Sequence, residues 1–315
     1  MLRYLCLLAM TGPLGAQDIP PYVPVNPALA SRSALYAQPF VLPRDGWQPR
    51  IVIDYSNAVE AVAARDGRTY AFDAETMQVD LWLGRDMSRS VFAFGNVALR
   101  GGYDGFLDGF LNWYHDVIGL RVPARNRRTR NQFGWEFQLG GDSIVRERPG
   151  TFLGDLRLGG GARLSSRVQV TATMTLPTAT TRADGWARST VGTALAVTAR
   201  AAQTSRVSVD VGVSSGWTPT HGDLREFQRT VFVGALVAGR WRFAGRQAVF
   251  STLWVQSPNW KDTGFRALDR AEVTLDLGGL FSVRQGWPEI QVGLTEDLLP
   301  SGPSVDAGLK LGIRW

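Results

Sequence analysis

Between Arg206 and Trp217 apolar and polar residues alternate without a break. Val207, Val209, Val211 and Val213 fall on one parity, and Ser208, Asp210, Gly212 and Ser214 on the other. Successive side chains of an extended strand point to opposite faces, so the run predicts a strand with one apolar and one polar side. The stretch 167–177 repeats it, with Val168, Val170, Ala172, Met174 and Leu176 opposed to Gln169, Thr171, Thr173 and Thr175. In 270–284, Ala271, Val273, Leu275, Leu277, Phe281 and Val283 oppose Glu272, Thr274, Asp276 and Ser282. The final residues do the same: Ala307, Leu309, Leu311, Ile313 and Trp315 against Gly308, Lys310, Gly312 and Arg314. Period two lasts longer here than the ~5 to 6 residues of an ordinary soluble strand. It matches the ~9 to 11 residues that a tilted strand needs to cross a bilayer.

The connections sort into two kinds. Short ones at 86–89, 165–167, 204–206, 244–246 and 286–288 alternate with long, polar, Gly/Pro-rich ones at 101–151, 177–188, 217–229, 257–270 and 297–305. Outer-membrane barrels show this rhythm, with tight periplasmic turns and longer outside loops. Strands are expected near 50–62, 70–84, 90–100, 152–164, 167–177, 188–201, 206–217, 229–243, 246–257, 270–284, 288–297 and 305–315. The fold class is therefore an all-β, transmembrane antiparallel barrel of about twelve strands, both termini on the periplasmic side. A soluble periplasmic β-protein is the alternative at the level of the fold. Trp217, Trp241, Trp254, Trp260, Trp287 and Trp315 fall at or near strand ends, where an aromatic girdle belongs. A last strand ending on Trp315 also resembles the signal that barrel insertion machinery reads.

Two segments break the alternation. Residues 17–49 hold Pro20, Pro21, Pro24, Pro27, Pro39, Pro43 and Pro49, and proline donates nothing to a ladder. This segment is expected to be no part of the wall, and to be a periplasmic tail or an extended piece within the lumen. The wall then covers 50–315. In 101–120, Phe106, Leu107, Phe110, Leu111, Tyr114, Val117 and Ile118 recur at helical spacing, with Asp104, Asp108, Asn112, His115 and Asp116 mostly elsewhere around the axis. This amphipathic helix in a long outside loop must bury its apolar stripe against the mouth, the lumen or lipid. Arg121, Arg125, Arg127, Arg128 and Arg130 follow it, and 131–148 reads as a small hairpin. Arg125, Arg127, Arg128 and Arg130 are candidates for lipopolysaccharide phosphates, which guanidinium binds in bidentate fashion. A solvated basic loop is the other reading.

The "GG-x-x-GFLDGF…HD…GL" stretch, "GTFLGDLRLG" at 150–159 and the proline-rich "NPALASRSALYAQPF" resemble an uncharacterised bacterial outer-membrane family known as a domain of unknown function, DUF3187. The resemblance covers most of the chain beyond its first residues and implies a barrel in the outer membrane. It brings no activity, because none is established for the family. Asn112 and Trp113 stand where the family pattern has a glycine or an acid.

Composition narrows the chemistry. Residues 1–16 carry Arg3, an apolar run and small residues before Gln17, which reads as a cleaved signal peptide for export; a buried first helix is the other reading. Cys6, inside it, is the only cysteine, so no disulfide, thiolate metal site or cofactor is expected beyond it. The net charge of +6 is almost all arginine, Lys261 and Lys310 being the only lysines, and no compact basic helix marks a nucleic-acid partner. Among the histidines, His115 lies beside Asp116 and near Asp108, and His221 near Asp223 and Asp184. Neither set has the nucleophile–base–carboxylate arrangement of a hydrolase, and neighbours on a helix do not face each other. By parity the lumen is lined by Asp54, Gln78, Asp80, Asp155, Arg157, Arg163, Gln169, Asp210, Glu272, Asp276 and Lys310. Mixed acids and bases on one inner face make either a polar path or an interior closed by ion pairs. The functional expectation is a narrow or gated pore for a small solute. A surface enzyme acting on lipid or peptide through His115 or His221, and a non-transporting structural barrel, are its rivals.

Overall fold

The computed structural model describes residues 19–20, 38–64, 66–119, 131–139, 142–148, 150–181, 190–222, 224–282, 287–299 and 307–315. The expected signal peptide, 1–16, lies outside them. In chain order the elements are β1 (Trp47–Ala63), β2 (Thr69–Asp86), β3 (Val91–Tyr103), helix α1 (Asp108–Ile118), β4 (Gly134–Leu139), β5 (Asp142–Val145), β6 (Gly150–Leu153) and β7 (Leu156–Arg163). There follow β8 (Val168–Leu176), β9 (Gly192–Gln203), β10 (Val207–Trp217), β11 (Val231–Ala244), β12 (Gln247–Gln256), the one-turn α2 (Arg266–Asp269), β13 (Glu272–Phe281), β14 (Glu289–Asp297) and β15 (Ala307–Arg314).

Twelve of the strands close into an antiparallel ring, β1-β2-β3-β7-β8-β9-β10-β11-β12-β13-β14-β15. The seam is β1 against β15, with Arg50 opposite Arg314 and Asn57 opposite Ala307. Closure leaves the ring no open edge. Its outer face is greasy and its inner face polar, the reverse of a soluble domain. Ile51, Ile53, Leu81, Leu83, Val211, Val213, Leu309, Leu311 and Ile313 are exposed, while Asp54, Asp80, Asp210 and Lys310 on the other parity are buried.

Two sequence expectations need correcting. The wall begins at Trp47, so Pro49 is in the ladder, opposite Leu83. It is tolerated because its carbonyl, which accepts from Trp315 N–H at 3.3 Å, and its N–H-less nitrogen both face the point where β15 ends. Trp254 and Trp260 are not girdle residues. Trp254 has the inward parity of Ala248 and Phe250 and is fully buried, and Trp260 packs among the loops. Trp47, Trp241, Trp287 and Trp315 at the short-turn end, and Trp217 at the long-loop end, are exposed.

The wall is taller on one side. β1 and β2 run for 17 and 18 residues, and the eight residues of β15 reach only as far as Asn57. Above that level the β4–β5 hairpin pairs with Thr69–Asp73 of β2, and β6 with Leu99–Gly102 of β3. β6 and β7 are one strand interrupted at Gly154 and Asp155.

Candidate functional site

The lumen is built in three levels. At the long-loop end, inward residues of β2 and β4 meet loop residues in an aromatic cap: Tyr70, Phe72, Trp135, Phe137, Trp260 and Phe265, all 3% exposed or less. Tyr70 and Phe137 lie 4.8 Å apart by ring centroid, and Phe72 meets Trp135 edge-on at 5.8 Å. Such pairs add to the area they bury.

The middle level is charged and dry. Lys310 Nζ lies 2.8 Å from Asp276 Oδ1 and 3.7 Å from Asp54 Oδ1. Asp80 accepts from Gln78 Nε2 at 2.5 Å and Asn96 Nδ2 at 3.1 Å. Arg200 grips Asp210 with two bonds, 2.8 and 3.2 Å, and Arg50 donates to Gln291 Oε1 at 2.7 Å. Charges out of water need such partners, and here strand register supplies them from the same strand or from strands one or two places along the ring.

Toward the short-turn end the filler is the chain itself. Residues 38–44 run inside the barrel, stitched to the wall mostly by their backbone. Phe40 N–H donates to Asp210 Oδ2 at 3.0 Å and Val41 N–H to Gln169 Oε1 at 2.9 Å. The carbonyls of Gln38, Pro39 and Val41 accept from Thr198 Oγ1 (2.7 Å), Gln169 Nε2 (3.2 Å) and Arg163 Nε (2.8 Å). Proline removes donors that would be hard to satisfy there, so a proline-rich stretch suits the role. The Arg200 guanidinium also lies over the Phe40 ring, at 4.8 Å. Gly46, at φ +78°, provides the left-handed residue where the segment turns out of the lumen into β1. Ile19 is buried in the same interior, against Leu236, Phe250, Trp254 and Leu280.

Of the residues that parity places inside, Asp54, Gln78, Asp80, Arg157, Arg163, Gln169, Asp210, Glu272, Asp276 and Lys310 are buried at inward positions of the wall. Asp155 is not: it lies half-buried at the break between β6 and β7. Its carboxylate accepts from Thr178 N–H (3.0 Å), Ala179 N–H (2.9 Å) and Thr190 N–H (3.0 Å), organising the β8–β9 loop at the rim. The interruption shifts the parity, which simple alternation could not foresee. Arg50, Asp86 and Arg200 belong to the interior too; inward parity marks each of them in sequence, but the partners of Arg50 and Asp86 lie far away along the chain, while Arg200 meets Asp210 on the adjacent strand. Arg163 pairs with Asp86 at 2.6 Å and covers the Phe92 ring at 4.8 Å.

Helix α1 lies on the outside of the wall. Asn57 and Glu75 face each other in register on the outer side of β1 and β2. Glu75 Oε1 accepts the N–H of Phe106 (2.7 Å) and of Leu107, and its other oxygen accepts from Tyr55 Oη at 2.5 Å. A wall carboxylate thus serves the helix entry that lacks a side-chain cap of its own. Asp108 accepts from Asn57 Nδ2 at 3.1 Å and from Asn131 N–H at 2.6 Å. Gly105, at φ +85°, has no room for a Cβ, which would stand 2.2 Å from the Glu75 carboxyl carbon. Leu111 and His115 are buried beneath the helix, whereas Phe106, Phe110, Trp113 and Val117 are exposed. Burial first, and then the Glu296 carboxylate of β14, push the Tyr114 phenol above its ordinary pKa.

His115 and Asp116 diverge, one buried and one exposed. His221 exchanges bonds with Gln228 at 3.1 and 3.2 Å through its backbone; its candidate partners Asp184 and Asp223 lie outside the described residues, as do Arg125, Arg127, Arg128 and Arg130. Among the described residues no cluster of three or more metal-ligating side chains occurs.

A family model described as a protein of unknown function, DUF3187, matches residues 24–315. A search of curated proteins finds no match. Among solved structures, the COG4313 outer-membrane channel from Pseudomonas putida F1 is similar with a TM-score of 0.55 at 15% identity, over 87% of this chain and 96% of that one. The KdgM porin (TM-score 0.41, 8% identity, 84% and 98% covered) and the CymD monoaromatic hydrocarbon channel (0.41, 7%, 92% and 90%) are also similar. The first likeness shows the fold alone, and the other two are too distant to add to it.

Proposed function

From the premise that the chain belongs to the DUF3187 family and has the fold of an outer-membrane channel, we propose that it is a gated pore whose N-terminal segment is the gate. The observation that carries this is the course of residues 38–44 through the lumen. Wall groups that would otherwise line a polar path, Gln169, Thr198, Arg163, Arg200 and Asp210, are engaged by that segment. Those contacts are chiefly to its backbone, and the segment is no strand of the ring but runs on into β1, so it can leave without breaking the ring. The protein is read as residing in the outer membrane after removal of residues 1–16, short turns on the periplasmic side. Lipopolysaccharide surrounds it, and the insertion machinery reads the strand that ends at Trp315.

The test is single-channel conductance in planar bilayers, for the intact protein and for a variant lacking residues 17–44. The intact protein is expected to be closed with rare openings, the shortened one steadily open. Because a deletion can disturb folding, a Val41→Cys/Gln169→Cys pair, oxidised and then reduced, serves as a second comparison; openings are expected only after reduction. Silence of both proteins, with heat-modifiable migration showing folded barrels, overturns the pore.

A further inference from the structure

Between the segment 38–41 and the inner faces of β1, β2 and β3, toward the short-turn end, lies a cavity of about 120 Å³. Its walls are unlike the charged middle level. Phe40, Trp82, Phe92 and Phe94 line it, with the Trp82 and Phe94 rings 5.5 Å apart, and Arg50 stands at its polar side. The size is that of a single six-membered ring, since a dry cavity of roughly 150 Å³ holds benzene.

Arg50 sets the charge. It is 8% exposed, and among the described residues its side-chain hydrogen bond goes to the neutral Gln291. Among the described residues no carboxylate lies within ion-pair distance of it. Asp54, Asp80 and Asp276 act on it only from farther away; Asp54 and Asp276 share Lys310, and Asp80 is hydrogen-bonded by the neutral Gln78 and Asn96. Arg314, which also borders the cavity, is held by Glu289 at 2.5 Å, and Asp86 by Arg163 at 2.6 Å. A buried guanidinium that, among the described residues, has no carboxylate at ion-pair distance and stands beside an aromatic cavity is suited to a ligand that brings a ring and an anion together.

We propose that this cavity is a binding site for a small aromatic monocarboxylate, its ring among Phe40, Trp82, Phe92 and Phe94 and its carboxylate on Arg50. The proposal rests on the reading of the lumen as a solute path, and names the solute class. Phe40 belongs to the gate segment, so the ligand touches the element that closes the pore.

The experiment is calorimetric titration of the full-length protein in detergent with benzoate, the neutral isostere benzamide, and acetate, which lacks the ring. Benzoate is expected to bind with a Kd of about 1 mM or tighter. Benzamide and acetate are each expected to bind at least about tenfold more weakly, from loss of the charge-assisted bond or of the ring contacts. Arg50→Gln is expected to abolish the preference for benzoate over benzamide. Gly84 faces the cavity, and a Cβ there meets nothing nearer than 3.8 Å, so Gly84→Val is expected to fill the space and block benzoate with Arg50 in place. Absence of benzoate binding, equal binding of acetate, or undiminished binding by Gly84→Val overturns the site. Conductance on the same preparation separates the two readings. Benzoate binding by a protein that never conducts upholds the site and removes the pore, and conduction without benzoate binding does the reverse.

Discussion

Arg200 shows what a single interior residue has to do. Its guanidinium, in a site 3% exposed, holds Asp210 by two bonds, covers Phe40 and donates to the Phe40 carbonyl at 3.3 Å. Arg200→Met removes the cation and leaves a buried carboxylate without compensation, a change that costs about 3–5 kcal/mol when the partner stays ionised. Urea unfolding in detergent should show that loss. Arg200→Met/Asp210→Leu should recover a good part of it, because no charge then remains to be solvated. Stability unchanged in the single variant would mean that the pair does not hold the interior together. Cross-strand glycines show the reverse economy. Gly159 and Gly161 of β7 lie under Phe94 and Phe92, where an added Cβ would come within 2.2 and 2.4 Å of ring carbons. The glycines of "LGGGARL" are thus seats for lumen aromatics.

Among the elements, α1 inverts the usual arrangement of a surface helix. Its Asp108 and His115 are turned to the barrel, while Phe110, Trp113 and Val117, with Phe106 just before it, are exposed. That stripe continues the outward apolar face of the wall, as an interfacial helix does. A spin label at Trp113→Cys, in a Cys6→Ser background, should be more accessible to oxygen than to a polar nickel reagent in reconstituted bilayers. Adding Glu75→Gln weakens the acceptor for the Phe106 and Leu107 N–H groups, worth about 1–3 kcal/mol for a charged acceptor. The label should then become more mobile and lose that contrast; an unchanged spectrum would mean that Glu75 does not fasten the helix. Here legibility in the sequence divides cleanly. The helix, the β4–β5 hairpin and all twelve wall strands are visible in local periodicity, because each strand meets lipid on one side and the lumen on the other. Which face of α1 meets the wall is not visible, since Asn57 and Glu75 lie about 30 and more residues away, within strands where their outward parity reads as an anomaly.

At the scale of the molecule, the same limit explains the site. Parity picks out the inward residues of long regular strands, such as Asp54, Asp210 and Lys310, but is lost at the Gly154–Asp155 break. It also says nothing of depth along the axis. The aromatic cap is assembled from β2, β4 and the β12–β13 loop, and the ring-sized cavity chiefly from β1 to β3 and a segment that precedes them all. Such meetings are set by closure of the ring, which brings Arg50 of the first strand beside Gln291 of β14. No window of sequence contains both.

The tether at Gly46 has one more consequence. Two residues, Asp45 and Gly46, separate the bonded Arg44 from the first residue of β1. A ligand attached to its own binding site by so short a link rebinds as an intramolecular event, at an effective concentration in the millimolar range. Each contact of the segment with the wall can therefore be weak, and the closed state still be restored quickly after every release. A synthetic peptide with the sequence of residues 38–44, added to the protein lacking 17–44, should block conductance only at about millimolar concentration. Affinity, in this barrel, is supplied by attachment.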